Sequence, residues 1–259
     1  MNCKEKIKEN INMILNHTGP LHEFGEYESK YIQMMVSFPS ECSVDFLNYA
    51  EELFEQIEAN TEEENEELDI EYELDILFSV MQQRKQYKCD GLLKKALLSE
   101  KTEGKEALLF YLINSNFSIE EKVELTRELL RITESFDEYG GYDRTKAVEF
   151  LIKENVKEAW PEIKDCLIDE ANRVREVALR YFRYFGVMND EVFESLVNFM
   201  NNEEEEEFNF IKKAINIFVH NKIKKAIEPL KELGKQEWFS EIPNSIDYLN
   251  ESIKELESV

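Results

Sequence analysis

The chain has 259 residues, 42% of them hydrophobic, with 17 phenylalanines and 11 tyrosines, which is enough apolar surface for a large core and excludes a disordered chain. A formal net charge of −25 excludes a general nucleic-acid binder, because phosphate binding needs clustered cations and a strongly negative field repels a polyanion. Eight glycines and five prolines are few for this length, and beside abundant Glu, Lys, Leu and Ile they predict an all-α fold.

Residues 1–15 predict a first helix, with Ile7, Ile11, Ile14 and Leu15 on one face. This start mixes Lys and Glu with apolar residues and lacks the apolar run of a signal peptide. No window reaches ~18 uncharged apolar residues, so no membrane segment is expected. The stretch 17–26, with Gly19-Pro20 and Gly25, reads as a turn region. Residues 31–38 read as a short strand or a buried helix start, ended by Pro39. A clear helix follows over 43–59, capped by Ser43, with Phe46, Leu47, Ala50, Leu53, Phe54 and Ile57 as its stripe. Fifteen acidic residues lie between Glu41 and Asp75, and no Lys or Arg stands between Lys30 and Arg84. That run reads as a solvated loop and outer helix face, or as an acidic docking surface carried by Glu62, Glu63, Glu64, Glu66 and Glu67. The division expected is an acidic helical region over 1–90, continuous with short regular helices over 91–259.

Four cysteines, Cys3, Cys42, Cys89 and Cys166, are scattered, without a Cys-x-x-Cys pair. The expectation is free thiols, neither a disulfide framework nor a zinc site, and a reducing cytoplasmic location. The richness in Lys, Glu, Asn and Ile suits an AT-rich bacterial genome.

Ten short helices follow from about residue 90. Aligned on Ala107, Ala147, Ala178 and Ala214, each carries a bulky residue one turn later: Tyr111, Leu151, Phe182 and Phe218. A small residue followed by a large one lets neighbouring helices approach closely while the next gap is filled. A period in this range is the signature of stacked helix pairs, an α-solenoid. The segment 160–186 resembles a HEAT or HEAT-like repeat. The residues that carry the resemblance are Pro161, Ile163, Leu167, Asp169 in the turn, Val174-Arg175, Ala178, Phe182 and Gly186. The resemblance implies a curved stack of antiparallel helix pairs that holds other macromolecules. It gives structural roles to Asp169, Arg175, Ala178 and Phe182, with Arg175 paired to a turn acid of its own or a neighbouring repeat, Asp169 by preference.

On a helical wheel of about 100° per residue, Val174, Ala178, Tyr181, Phe182 and Phe185 share one sector, while Arg173, Glu176, Arg180, Arg183 and Tyr184 lie opposite. The resemblance implies that the second helix of each pair lines the concave side. Carried across the alanine column, the exposed positions there are Glu149, Ile152 and Lys153, then Arg180, Arg183 and Tyr184, then Asn216, Val219 and His220. Such a groove is polar, mixed in charge and partly aromatic, which suits a protein surface.

Other chemistry is thinly represented. His17 and His22 stand in the turn region with no compelling third ligand, so no metal is expected. No phosphate loop, nucleophile elbow or H-E-x-x-H occurs, so no cofactor is expected either. Cys89 stands near Lys85 and Lys88, without an evident base. Some HEAT-like proteins are DNA glycosylases with a cationic groove and tryptophans; this chain has Trp160 and Trp238 alone, and its net charge opposes that reading. The expected function is non-catalytic binding of a protein with a basic surface. It is expected as an inhibitor or immunity-type protein against a toxin or nuclease, or else as a scaffold or adaptor. The oligomeric state is not legible.

Overall fold

A computed structural model describes residues 2–16, 21–59, 64–85, 89–102, 105–133, 141–202 and 208–258; for 21–27, 64–69 and 202 it describes the backbone alone. Among the described residues the fold is all-helical, with fifteen α-helices and no strand. None of these helices is long and apolar enough to cross a membrane. The chain divides into two compact units, Met1–Ile132 and Thr133–Val259.

The first unit contains α1 (Cys3–Leu15), α2 (Leu21–Val36), α3 (Ser43–Ala59), α4 (Glu64–Gln83), α5 (Asp90–Leu98), α6 (Lys105–Asn114) and α7 (Ile119–Ile132). The apolar stripe of α1 buries Ile7, Ile11 and Ile14 completely, and that of α3 buries Phe46, Ala50 and Ile57 completely. The α4 helix packs against α2, α3 and α6, and its Leu77, Val80 and Met81 are wholly buried. The α2 helix corrects two expectations: it covers most of the supposed turn region, including Gly25, and removes the strand alternative at 31–38. Residues 17–20 lie outside the described residues. Burial of Ile32 and Met35, three apart on one face, holds this helix, and Pro39 follows its end.

Arg84 closes α2 from a distance of almost fifty residues. Its guanidinium donates to the carbonyls of Met35 (3.3 Å), Val36 (3.0 Å), Phe38 (2.7 Å) and Pro39 (3.0 Å), and to the Ser43 hydroxyl (3.2 Å). It also lies 5.1 Å over the Phe46 ring. The last carbonyls of a helix have no intrahelical donor, so one planar cation satisfies several of them at once.

The thiols also depart from expectation. Cys3 and Cys42 form a disulfide, while Cys89 and Cys166 are free and buried. The bond joins α1 to the short 3-10 turn (Ser40–Cys42) that leads into α3. Chain spacing gave no sign of it, because packing of α1 against α3 is what brings the two sulfurs together.

The second unit contains α8 (Tyr142–Lys153), α9 (Trp160–Asp165), α10 (Asn172–Phe185), α11 (Asp190–Asn202), α12 (Phe208–His220), α13 (Ile227–Leu233), α14 (Glu237–Glu241) and α15 (Ser245–Ser258). Here α10 packs against α8 and α12, and α12 against α15, while α11 packs against α9 and α13. Ala147, Ala178 and Ala214 are wholly buried, and so are Leu151, Phe182 and Phe218 one turn later. The corresponding Ala107 and Tyr111 of the first unit are only half-buried. Gly186 ends α10 with φ +61°, its N–H donating to the Phe182 carbonyl at 3.0 Å. The left-handed backbone here favours glycine, and a Cβ would also displace the Asn221 amide, whose Oδ1 lies 2.7 Å from its place.

Opening a loop closed over a separation of 39 residues is expected to cost about 2–4 kcal/mol. Urea unfolding of the oxidised protein should therefore shift to a lower midpoint on adding dithiothreitol. The Cys3→Ser/Cys42→Ser variant should sit at that lower midpoint and be indifferent to the reductant.

Candidate functional site

The surface of α10 is set from inside the second unit by a buried ion pair. Arg144 Nε donates to Asp169 Oδ2 at 2.6 Å, with the two side chains 6% and 3% exposed. The same guanidinium reaches the Thr133 carbonyl and Cys166 Sγ (3.5 Å). The other carboxylate oxygen of Asp169 accepts the Ala171 N–H at 3.0 Å, immediately before α10 begins. The expected pairing of Arg175 with this carboxylate is thus replaced. Arg175 donates instead to the Asp169 main-chain carbonyl (3.3 Å) and to the Asn172 side chain, and lies 5.5 Å over Phe210. Sequence reasoning missed Arg144, although a signal existed: it stands three residues before Ala147, as Arg175 does before Ala178. The arginine of α8, not that of α10, takes the acid.

Helix direction follows from the contacts between helices. Arg173 lies 3.6 Å over the Tyr142 ring, and Arg180 pairs with Glu149 at 3.0 Å; both pairs are 31 residues apart, so α8 and α10 run parallel. Lys213 pairs with Glu176 at 2.6 Å, 37 residues away, and Arg175 meets Phe210, so α12 runs parallel to α10 as well. These contacts place Glu149 and Lys153 on α8 beside Arg180, Arg183 and Tyr184 on α10. Asn216 and His220 are exposed on α12. Tyr184 is 63% exposed, its ring edge-to-face with Phe185. Burial alone pushes the Glu149 carboxyl up, but hydrogen bonds from Arg180 and Lys146 outweigh it, and the group lies below the usual carboxylate range. Glu176, which the wheel puts on the exposed side, joins the face; Tyr142 and Lys213 complete it and were not picked out from the sequence, because only cross-helix contact reveals them.

The other candidates separate. Glu62 and Glu63 lie outside the described residues, as do the side chains of Glu64, Glu66 and Glu67. On α3, however, Glu51, Glu55 and Glu58 are exposed at i, i+4 and i+7, one acidic stripe. His17 lies outside the described residues, as does the side chain of His22. Among the described residues no group of three or more His, Cys, Asp or Glu is placed to hold a metal ion. Burial pushes the Cys89 thiol up to about 11 and the Cys166 thiol up to about 12, so neither is an activated nucleophile at neutral pH. Trp160 opens α9 and Trp238 lies in α14, its Nε1–H 2.5 Å from Gln236 Oε1, so neither belongs to the α8–α10–α12 face. A cavity of about 180 Å³ in the first unit is lined by residues that include Phe78, Gln82, Cys89, Asp90 and Tyr111. Comparison with protein-family models, curated proteins and solved structures finds no match to this chain.

Asp169→Asn keeps an oxygen for the Ala171 N–H but removes the buried negative charge to which Arg144 Nε donates, an expected loss of about 3–5 kcal/mol. Adding Arg144→Met should recover part of that loss. Urea denaturation of the two single variants and the double variant measures the coupling directly.

Asp75 on α4 gives a separate test. Burial, with Glu71 nearby, raises its carboxyl from 3.8 to about 7. The folded protein then keeps a proton that the unfolded chain releases near pH 4, so this group's contribution to stability falls as pH rises from about 4 to 7. Asp75→Asn should match wild type near pH 4 and exceed it by about 2–4 kcal/mol above pH 7, at about 1.4 kcal/mol per pKa unit. Unfolding curves of the pair across this window check the sign.

Proposed function

We propose that the chain is a non-catalytic, protein-binding α-solenoid of the HEAT-like kind, acting as an inhibitor or immunity-type protein against a partner with a basic surface, such as a toxin or nuclease. The packing order in the second unit supports the solenoid reading: α8, α10, α12 and α15 form one row, and α9, α11 and α13 the other. Parallel helices within a row are what stacked antiparallel pairs require.

The observation that carries the partner's chemistry is the α3 stripe. Glu51, Glu55 and Glu58 project from a helix that holds no Lys or Arg, in a segment where none occurs between Lys30 and Arg84. Like charges this close repel one another unless a cation offsets them, and a basic partner does so while being drawn in from a distance. Inhibition needs fast capture more than chemistry, and long-range attraction acts on the rate of encounter.

The Debye length falls from about 30 Å at 0.01 M salt to about 8 Å at 0.15 M. The association rate of a partner captured from the source cells should therefore drop at least ~10-fold over this range. Glu51→Gln/Glu55→Gln/Glu58→Gln should flatten that dependence and leave the dissociation rate nearly unchanged. An acidic partner, or an association rate indifferent to salt, overturns the proposal.

A further inference from the structure

The α8–α10–α12 face has a charge opposite to that of the chain as a whole. Lys153, Arg173, Arg180, Arg183 and Lys213 stand there against the carboxylates of Glu149 and Glu176. Glu149 takes Arg180 and Lys146, Glu176 takes Lys213, and Arg173 lies over Tyr142. Arg183 and Lys153 have no ion-pair partner among the described residues; both are exposed, and the exposed ring of Tyr184 follows Arg183 in the chain. In a molecule of net charge −25, cations gathered on one helix row and left without counter-ions call for an anion.

We infer that this face docks a carboxylate-rich segment of another protein, with Arg183 and Lys153 receiving its side-chain carboxylates and Tyr184 covered by its apolar atoms. Charge complementarity names the chemistry, and the fixed carboxylates choose between polyanions. Glu149 and Glu176 sit among the cations, and a continuous phosphate backbone laid along the row has to pass them. A peptide with spaced carboxylates avoids them. Neighbouring helix axes lie about 8–10 Å apart, and a polyproline II chain rises about 3.1 Å per residue with about three residues per turn, so acids three residues apart share a face and match successive helices. Arg and Tyr, which hold much of the binding energy at protein interfaces, occupy the middle helix of the row. The inference rests on reading the chain as protein-binding, and is independent of the basic partner assigned to α3.

The test uses the full chain and two fluorescein-labelled probes: a 12-residue peptide with glutamate at every third position, and a 12-nucleotide oligothymidylate. Fluorescence anisotropy at low salt should show the peptide bound. Lys153→Glu/Arg183→Glu should weaken it at least ~10-fold, with helicity by circular dichroism unchanged. A control reversal elsewhere in the second unit, Lys224→Glu/Lys254→Glu, keeps the overall charge change equal and should leave binding within about twofold. Equal loss in the control, tighter binding of the oligonucleotide, or no peptide binding each overturns the inference. All these variants retain Glu51, Glu55 and Glu58, so failure here is distinct from failure of the basic-partner proposal.

Discussion

A buried guanidinium costs several kcal/mol unless its charge is matched and its N–H groups find acceptors, and Arg144 in the second unit meets both conditions. Asp169 supplies the charge, and the Thr133 carbonyl takes another of its donors. The geometry of α10 follows from this. The carboxylate that holds Arg144 also receives the Ala171 N–H, so the start of α10 is tied to α8 through one acid. Ala178 and Phe182 then face the core, and the exposed arginines and Tyr184 are fixed on the opposite side. The candidate face is therefore only as rigid as the pair beneath it.

The first unit solves a related problem with a single cation. Its acidic run leaves Arg84 as the first positive charge after Lys30, and that charge is turned toward main-chain carbonyls at the end of α2. The carboxylates find other partners or remain charged in water: Glu52 pairs with Lys4 at 2.6 Å, Tyr49 donates to Glu73, and Glu51 and Glu55 stay exposed.

What could be read in advance was whatever repeats along one helix. The stripes of α3 and α10 follow a 3.6-residue period, so the main line of their buried sides was legible, as was the alanine column from Ala147 to Ala214; Tyr49, Val177 and Leu179 are buried beyond the stripes, and Leu47, Phe54 and Phe185 within them are only half-buried. The α2 helix was not, because Gly19-Pro20 and Gly25 are strong local punctuation, and burial of Ile32 and Met35 outweighs them only in three dimensions. The Cys3–Cys42 bond and the Arg144–Asp169 pair were hidden for a common reason: each joins residues brought together by helix packing, which no local spacing encodes. The cross-helix contacts Glu149–Arg180 and Glu176–Lys213 belong to the same class, although the wheel had already put Glu176 and Arg180, and the alanine column Glu149, on exposed positions.

The bond between Cys3 and Cys42 makes the first two helices a covalent ring with the start of the third. A protease that cuts anywhere between Lys4 and Glu41 yields two pieces that remain one molecule. The severed ends stay at high effective concentration, so α1 and α2 can re-dock instead of diffusing away. In the oxidised form the acidic segment that follows thus keeps its helical base after a nick, and in the reduced form the same cut frees the N-terminal piece.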